Sequence, residues 1–190
     1  MNKFTVCLFA ASLGMIVASN AIAQDNVHAI TGTVTRVNPK IKTTDIATDD
    51  GSSGYFEWST KPASSVNFDK TVKADAVDAD KFTSQGDHVI VFFIAGIDTR
   101  SLVALRDLGT GPLEKTAGSV VKLDRGNHVL IVKDSSGAEK TFHLDPKTVA
   151  DTPYGVMQGF KYDLSKGDLV TVTSAASDGG ETALLIAHGS

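Results

Sequence analysis

Five histidines, His28, His88, His128, His143 and His188, are the side chains of this 190-residue chain best suited to holding copper or zinc, through a neutral imidazole nitrogen. Their spacing carries no metal signature. His128 and His143 are the candidate ligands because they flank one turn, Ser135-Ser136-Gly137. If that turn closes a symmetric hairpin, His128 stands opposite Leu144 and His143 opposite Val129, which sends the two imidazoles to opposite faces. Met157 is the one methionine beyond the N-terminal apolar run, so a soft copper site has little to draw on. Carboxylates gather at Asp45, Asp49 and Asp50 and at Asp75, Asp78 and Asp80, but neither group has the alternating oxygens and closing bidentate acid of a calcium loop. They read as solvated turns and a charged helix face. Serine, histidine and aspartate all occur, yet there is no Gly-x-Ser-x-Gly elbow and no phosphate-cradling Gly-x-x-x-x-Gly-Lys-Ser/Thr loop. No catalytic residue and no cofactor is assigned, and no pair of acids is placed for glycoside hydrolysis.

Binding chemistry has better candidates. The group Tyr55-Phe56-Glu57-Trp58, with Phe68 and Phe82 nearby, could build a stacking platform. Strand alternation divides it: Phe56 and Trp58 share an inward face, leaving Tyr55 as the outward candidate ligand contact. The run His88-Val89-Ile90-Val91-Phe92-Phe93-Ile94-Ala95 loses alternation, so both faces of that strand are apolar. Its second face must rest on the connection over residues 62–85, on the second copy's barrel, or on a partner protein. Phe92 is the second candidate ligand contact for that reason.

These residues sit on a module written twice. A shift of 86 positions carries Thr31-Gly32-Thr33-Val34 onto Ala117-Gly118-Ser119-Val120, and Gly51, Phe56, Trp58 and Lys61 onto Gly137, Phe142, Leu144 and Lys147 without a gap. Further on, Gly86-Asp87-His88-Val89 falls over Gly167-Asp168-Leu169-Val170 at a shift of 81. An internal repeat of this length makes each copy one structural unit. Short β-branched or alternating runs predict five strands per copy, at residues 29–37, 42–48, 55–58, 88–95 and 101–106, and again at 119–123, 128–132, 140–144, 169–173 and 183–186. Only residues 59–85 and 145–166 have room for a helix, and residues 71–82 have the propensity for one through Lys73, Ala74, Ala76, Ala79 and Lys81.

Three strands, a helix or long connection, then two strands is the order of an OB-type Greek-key barrel. The layout resembles a group of exported bacterial domains of unknown function with an OB-like small barrel, through Gly32-Thr33-Val34, Gly51 and Gly86-Asp87-His88-Val89-Ile90-Val91, and again through Gly118-Ser119-Val120, Gly137 and Gly167-Asp168-Leu169-Val170-Thr171-Val172. The resemblance implies fold and export and carries over no functional residue. The expected fold class is mostly β: two tandem five-stranded OB-like Greek-key barrels over residues 24–108 and 116–190, joined by a linker at 109–115, each with a helix or long connection between its third and fourth strands.

Residues 1–23 read as a secretory signal, with Lys3 ahead of an apolar run over residues 4–17 and small residues in Ala21-Ile22-Ala23. The run is too short to span a bilayer, so no transmembrane segment is expected. Cys7, the one cysteine, lies within it. The chain has 42% hydrophobic and 21% charged residues, enough apolar side chain for a packed core. A formal charge of -4 gives no basic field for a phosphate backbone, which sets nucleic acid aside. The leading expectation is a noncatalytic periplasmic or secreted interaction module for a protein, a cell-envelope component or a small ligand, acting through the first barrel or the groove between barrels. Its rival is a periplasmic metal- or small-ligand-handling protein, with a hydrolytic enzyme behind it.

Overall fold

The computed structural model describes residues 25–52, 54–61, 65–96 and 99–189. The signal segment expected over residues 1–23 lies outside the described residues. From there the chain is mostly β. In the first copy, β1 (Val27–Asn38) pairs antiparallel with both β2 (Thr43–Thr48) and β5 (His88–Ala95), and β2 pairs with β3 (Gly54–Trp58). β6 (Arg100–Gly109) pairs with β5 and meets β3 in parallel at Glu57↔Ser101 and Trp58↔Leu102, which closes a five-stranded barrel.

The second copy repeats the circuit. β7 (Glu114–Asp124) lies between β8 (Val129–Asp134) and β11 (Leu169–Ser177), and β12 (Gly180–His188) returns from β11 to run parallel with β9 (Glu139–Thr152). Pairing of β8 with β9 closes this ring too. The connectivity is consistent with tandem OB-type barrels.

The repeat extends to single hydrogen bonds. Both first strands shift register at matching places, between Val34 and Arg36 and between Val120 and Lys122, so each barrel bends at the same bulge. The Gly86 and Gly167 amides each donate over 2.8 Å to the carbonyl at that bulge, Val34 or Val120. Gly32 and Gly118 let the following strand approach closely: a methyl on Gly32 would stand 2.7 Å from the Ala47 carbonyl, and one on Gly118 would fall on that of Lys133. Phe56 and Phe142 fill matching places in the two cores.

The long connections depart from expectation. Helix α1 covers only Lys70–Ala74, capped by Asp69, and not residues 71–82. The segment after it is captured by the edge of β6: Val77 and Asp78 form β4 (Val77–Asp78) against Leu105 and Ala104, and the Ala79 amide donates to Val103. Tertiary pairing overrides helix propensity here. In the second copy β9 runs on through Pro146 to Thr152 and folds back as β10 (Gly155–Gln158), leaving one 3-10 turn at Gly159–Lys161.

These two connections, with the outer face of β5, form the seam between barrels. Ile90 and Phe92 point out of the first barrel and join Phe68 and Val72 from the connection and Val149, Val156 and Leu185 from the second copy in one buried cluster. Each large side chain buried there contributes about 1.5–3 kcal/mol. The second apolar face of β5 is thus covered from within the chain.

Candidate functional site

On the outer face of the first barrel, strand register assembles two rows of side chains. Arg36 pairs with Asp45 and Asp45 with Tyr55, while Asn38 pairs with Thr43 and Thr43 with Glu57. Ile41, in the turn from β1 to β2, overhangs both. Together these residues line an open hollow of 430 Å³. Phe56, between Tyr55 and Glu57, points inward, and that alternation holds Tyr55 outward at 62% exposure, beside Ile41 at 67%. The side chains of Arg36, Asp45 and Glu57 have no ion-pair partner among the described residues, so the rim of the hollow is polar and uncommitted.

The second barrel builds the same two rows with different side chains. Lys122, Ile131 and Thr141 replace Arg36, Asp45 and Tyr55, and Asp124, Val129 and His143 replace Asn38, Thr43 and Glu57. Asn127 stands where the first copy has Ile41. The exposed aromatic and aliphatic pair belongs to the first barrel alone, although the backbone beneath it is duplicated.

A second hollow, of 460 Å³, opens between the barrels. One wall is a pair of cross-strand rows on the second barrel, Asp151–Ala187–Thr171 and Val149–Leu185–Thr173–Lys115. The facing wall is Ala29, Ile30, Thr31 and Phe93 of the first barrel, with Asp49, Asp50 and Arg100 at its mouth. Lys115 donates to the Asp49 carbonyl at 2.8 Å and stands 3.7 Å from its carboxylate. Arg100 lies 3.6 Å from Asp50, donates to Ser52 Oγ at 2.9 Å and covers the Phe93 ring at 5.3 Å. At the far end His28 Nδ1 meets Asp151 Oδ1 at 3.1 Å.

The carboxylates of this groove differ in environment. Burial pushes Asp50 up, but hydrogen bonds from Ser52 and Thr48 and the charge of Arg100 outweigh it and hold the group below the ordinary carboxylate range. Burial raises Asp151 by more than His28 and the Ala29 amide lower it, and the group ends above that range.

The sequence-derived candidates fall in different places. Tyr55 lines the outer hollow. Phe92 is fully buried at the seam, its ring 5.0 Å from Phe68 and 5.9 Å from the Arg106 guanidinium, so it presents no surface to a ligand. The β5 run is apolar on its second face because the chain packs on itself there. His128 sits in the turn before β8 at φ 55° and stacks on Phe160 with ring centres 6.0 Å apart. His143 is exposed opposite Val129 on β9, and the Leu144 amide donates to the His128 carbonyl. His128 thus packs on Phe160 while His143 is exposed on the strand. Among the described residues no three His, Cys, Asp or Glu side chains converge as a metal site would require.

Ile41 and the groove residues Asp151, Lys115 and Arg100 were not singled out from sequence. An aliphatic residue in the turn Pro39-Lys40-Ile41-Lys42 is the signal that could have found the first; the groove residues come from distant segments and have none.

The chain matches no protein-family model and no curated protein. Among solved structures it is similar to the Drosophila Unr cold-shock domains 4–6, at 12% identity and a TM-score of 0.32 over 85% of this chain. The match spans 61% of that structure's length.

Proposed function

We propose that this protein is a noncatalytic exported interaction module of two fused OB-like barrels, and that it grips a protein partner through the outer face of the first. The observation that carries this reading is the divergence between the copies. Core, bulge and turn residues are duplicated, while Tyr55 and Ile41 on the β1–β2–β3 face are replaced by Thr141 and Asn127. A fold needs no exposed tyrosine and isoleucine there, since the second barrel forms without them. OB barrels present ligands to this face and to the turn between their first two strands. An aromatic and an aliphatic anchor inside a polar rim of Arg36, Asp45 and Glu57 also match the anatomy of a protein-binding hot spot. Export rests on the character of residues 1–23 and is tested by fractionating cells that make the full chain.

The binding test is site-specific photo-crosslinking in the producing cell, with a benzoylphenylalanine at position 55 or at the matching position 141. A discrete adduct at 55 that is absent at 141 and lost on Ile41→Asp supports the proposal. Equal labelling at both positions, or none at either, removes it.

A further inference from the structure

Carboxylates stand at both ends of the interbarrel groove. At one end the cations of Lys115 and Arg100 already face the carboxylates of Asp49 and Asp50. At the other end Asp151 has the His28 imidazole on one oxygen and a hydrogen bond from the Ala29 amide. Between the ends lies a mostly apolar trough of Ala187 and Leu185 of the second barrel with Ala29, Ile30 and Phe93 of the first, and Thr31 Oγ1 and Thr173 Oγ1 meet 3.4 Å apart between the two walls. Asp151, Ala187 and Thr171 lie in register on three adjacent strands, so the trough extends about 10 Å from the carboxylate to Thr171, and about 14 Å to the strand that bears Lys115. A volume of 460 Å³ is in the range of small-molecule sites.

We propose that the groove binds a small organic monocation, a primary ammonium on an aliphatic or aromatic body, with the ammonium on Asp151 and the body along Ala187 and Leu185 toward Phe93. The Asp151 carboxylate, which lines the groove, supplies the charge selectivity. The distal end supplies a second filter, because the Lys115 and Arg100 cations there oppose a second ammonium and so disfavour polyamines. A neutral analogue brings no charge to Asp151, and a carboxylate ligand meets Asp151, Asp49 and Asp50. This site is separate from the Tyr55 face and does not depend on its role.

The test is titration of the isotope-labelled chain, residues 24–190, by amide NMR with phenethylamine, phenethyl alcohol, 3-phenylpropionate and 1,4-diaminobutane. Phenethylamine should saturate with shifts confined to β9, β11, β12 and the start of β1, at least tenfold tighter than the other three. Asp151→Asn keeps a hydrogen-bonding partner for His28 and should weaken the amine tenfold or more. Ala187→Phe, which fills the trough and leaves every charge in place, should abolish binding, and Tyr55→Ala should leave it unchanged. Binding of the alcohol as tight as the amine, an undiminished affinity in Asp151→Asn, or no saturable response to the amine would each overturn the proposal. Shifts confined to the Tyr55 face would overturn it too, while leaving the interaction reading in place.

Discussion

The guanidinium of Arg106, near the end of the first barrel's last strand, donates to the main-chain carbonyl of Lys147 on the long third strand of the second barrel. It also donates to the Val72 carbonyl at 3.1 Å and lies over the Phe92 ring, at 7% exposure. Burial lowers its pKa, against the opposing pull of Asp75 and Asp145. One buried cation thus ties together β6, α1 and β9. Arg106→Leu strands two carbonyls, each of which loses a charge-assisted hydrogen bond, and should cost about 3 kcal/mol. For a chain of this size that is a fall in Tm of about 6–12 °C. Calorimetry should also show the unfolding endotherm broaden or split relative to that of the parent chain, since the seam and not either core is what weakens. An unchanged, single transition would count against Arg106 as the tie.

Close approach at Gly32 and Gly118 gives a second prediction. Neither glycine has a positive φ, so the requirement is space and not backbone freedom. Alanine at either site pushes a methyl into a carbonyl of the neighbouring strand, with no flexible side chain to yield. Each substitution should cost at least about 2 kcal/mol in urea unfolding, Gly118→Ala more than Gly32→Ala because its clash is closer. Equal tolerance of both would show that the paired strands can move apart.

Asp151 sets a pH dependence whose sign follows from its environment. Its folded pKa lies above the ordinary carboxylate value of about 3.9, so the folded state holds the proton more tightly than the unfolded one. The stability this lends is fully present below that ordinary value and is lost as pH rises through the folded pKa. Asp151→Asn cannot ionise and escapes that loss. Its Tm relative to the parent chain should therefore rise from pH 3.5 to pH 7.5, with the change confined to the window just above the ordinary carboxylate range. A relative Tm that falls with pH would mean that pairing with His28 outweighs burial.

Tyr55 and Phe56 are adjacent and should behave oppositely. Tyr55→Ala removes an exposed ring and should change stability by no more than about 0.5 kcal/mol. Phe56→Ala empties a place in the closed core and should cost about 3–5 kcal/mol. Paired denaturant melts on the two variants check this. A large loss from Tyr55→Ala would make that ring structural and weaken its proposed role as an anchor.

Much of this architecture was legible in advance because it is written in local terms. Alternation and β-branched runs mark strands, Gly-Asp marks the turn into each fourth strand, and the 86-residue shift aligns the glycines, bulges and core aromatics of the copies. Even the opposition of His143 to Val129 follows from the centre of one hairpin. Tyr55 could be placed outward for the same reason, since Phe56 beside it takes the core face.

What the amino-acid order determined by itself was a repeated, mostly β chain with strands near their observed positions and an outward Tyr55, because those features depend on residues a few positions apart. Only the tertiary structure decided what covers β5. Ile90 and Phe92 have the same hydrophobic signature whether a partner or the chain's own second half lies against them, and here it is Val149, Val156 and Leu185. It likewise decided that residues 77–78 join a sheet edge instead of extending a helix, since the backbone of β6 satisfies their hydrogen bonds. The groove bounded by Asp151, Lys115 and Arg100 is a tertiary decision in the fullest sense: its walls are strands far apart in the chain, brought together by a buried seam that no local pattern encodes.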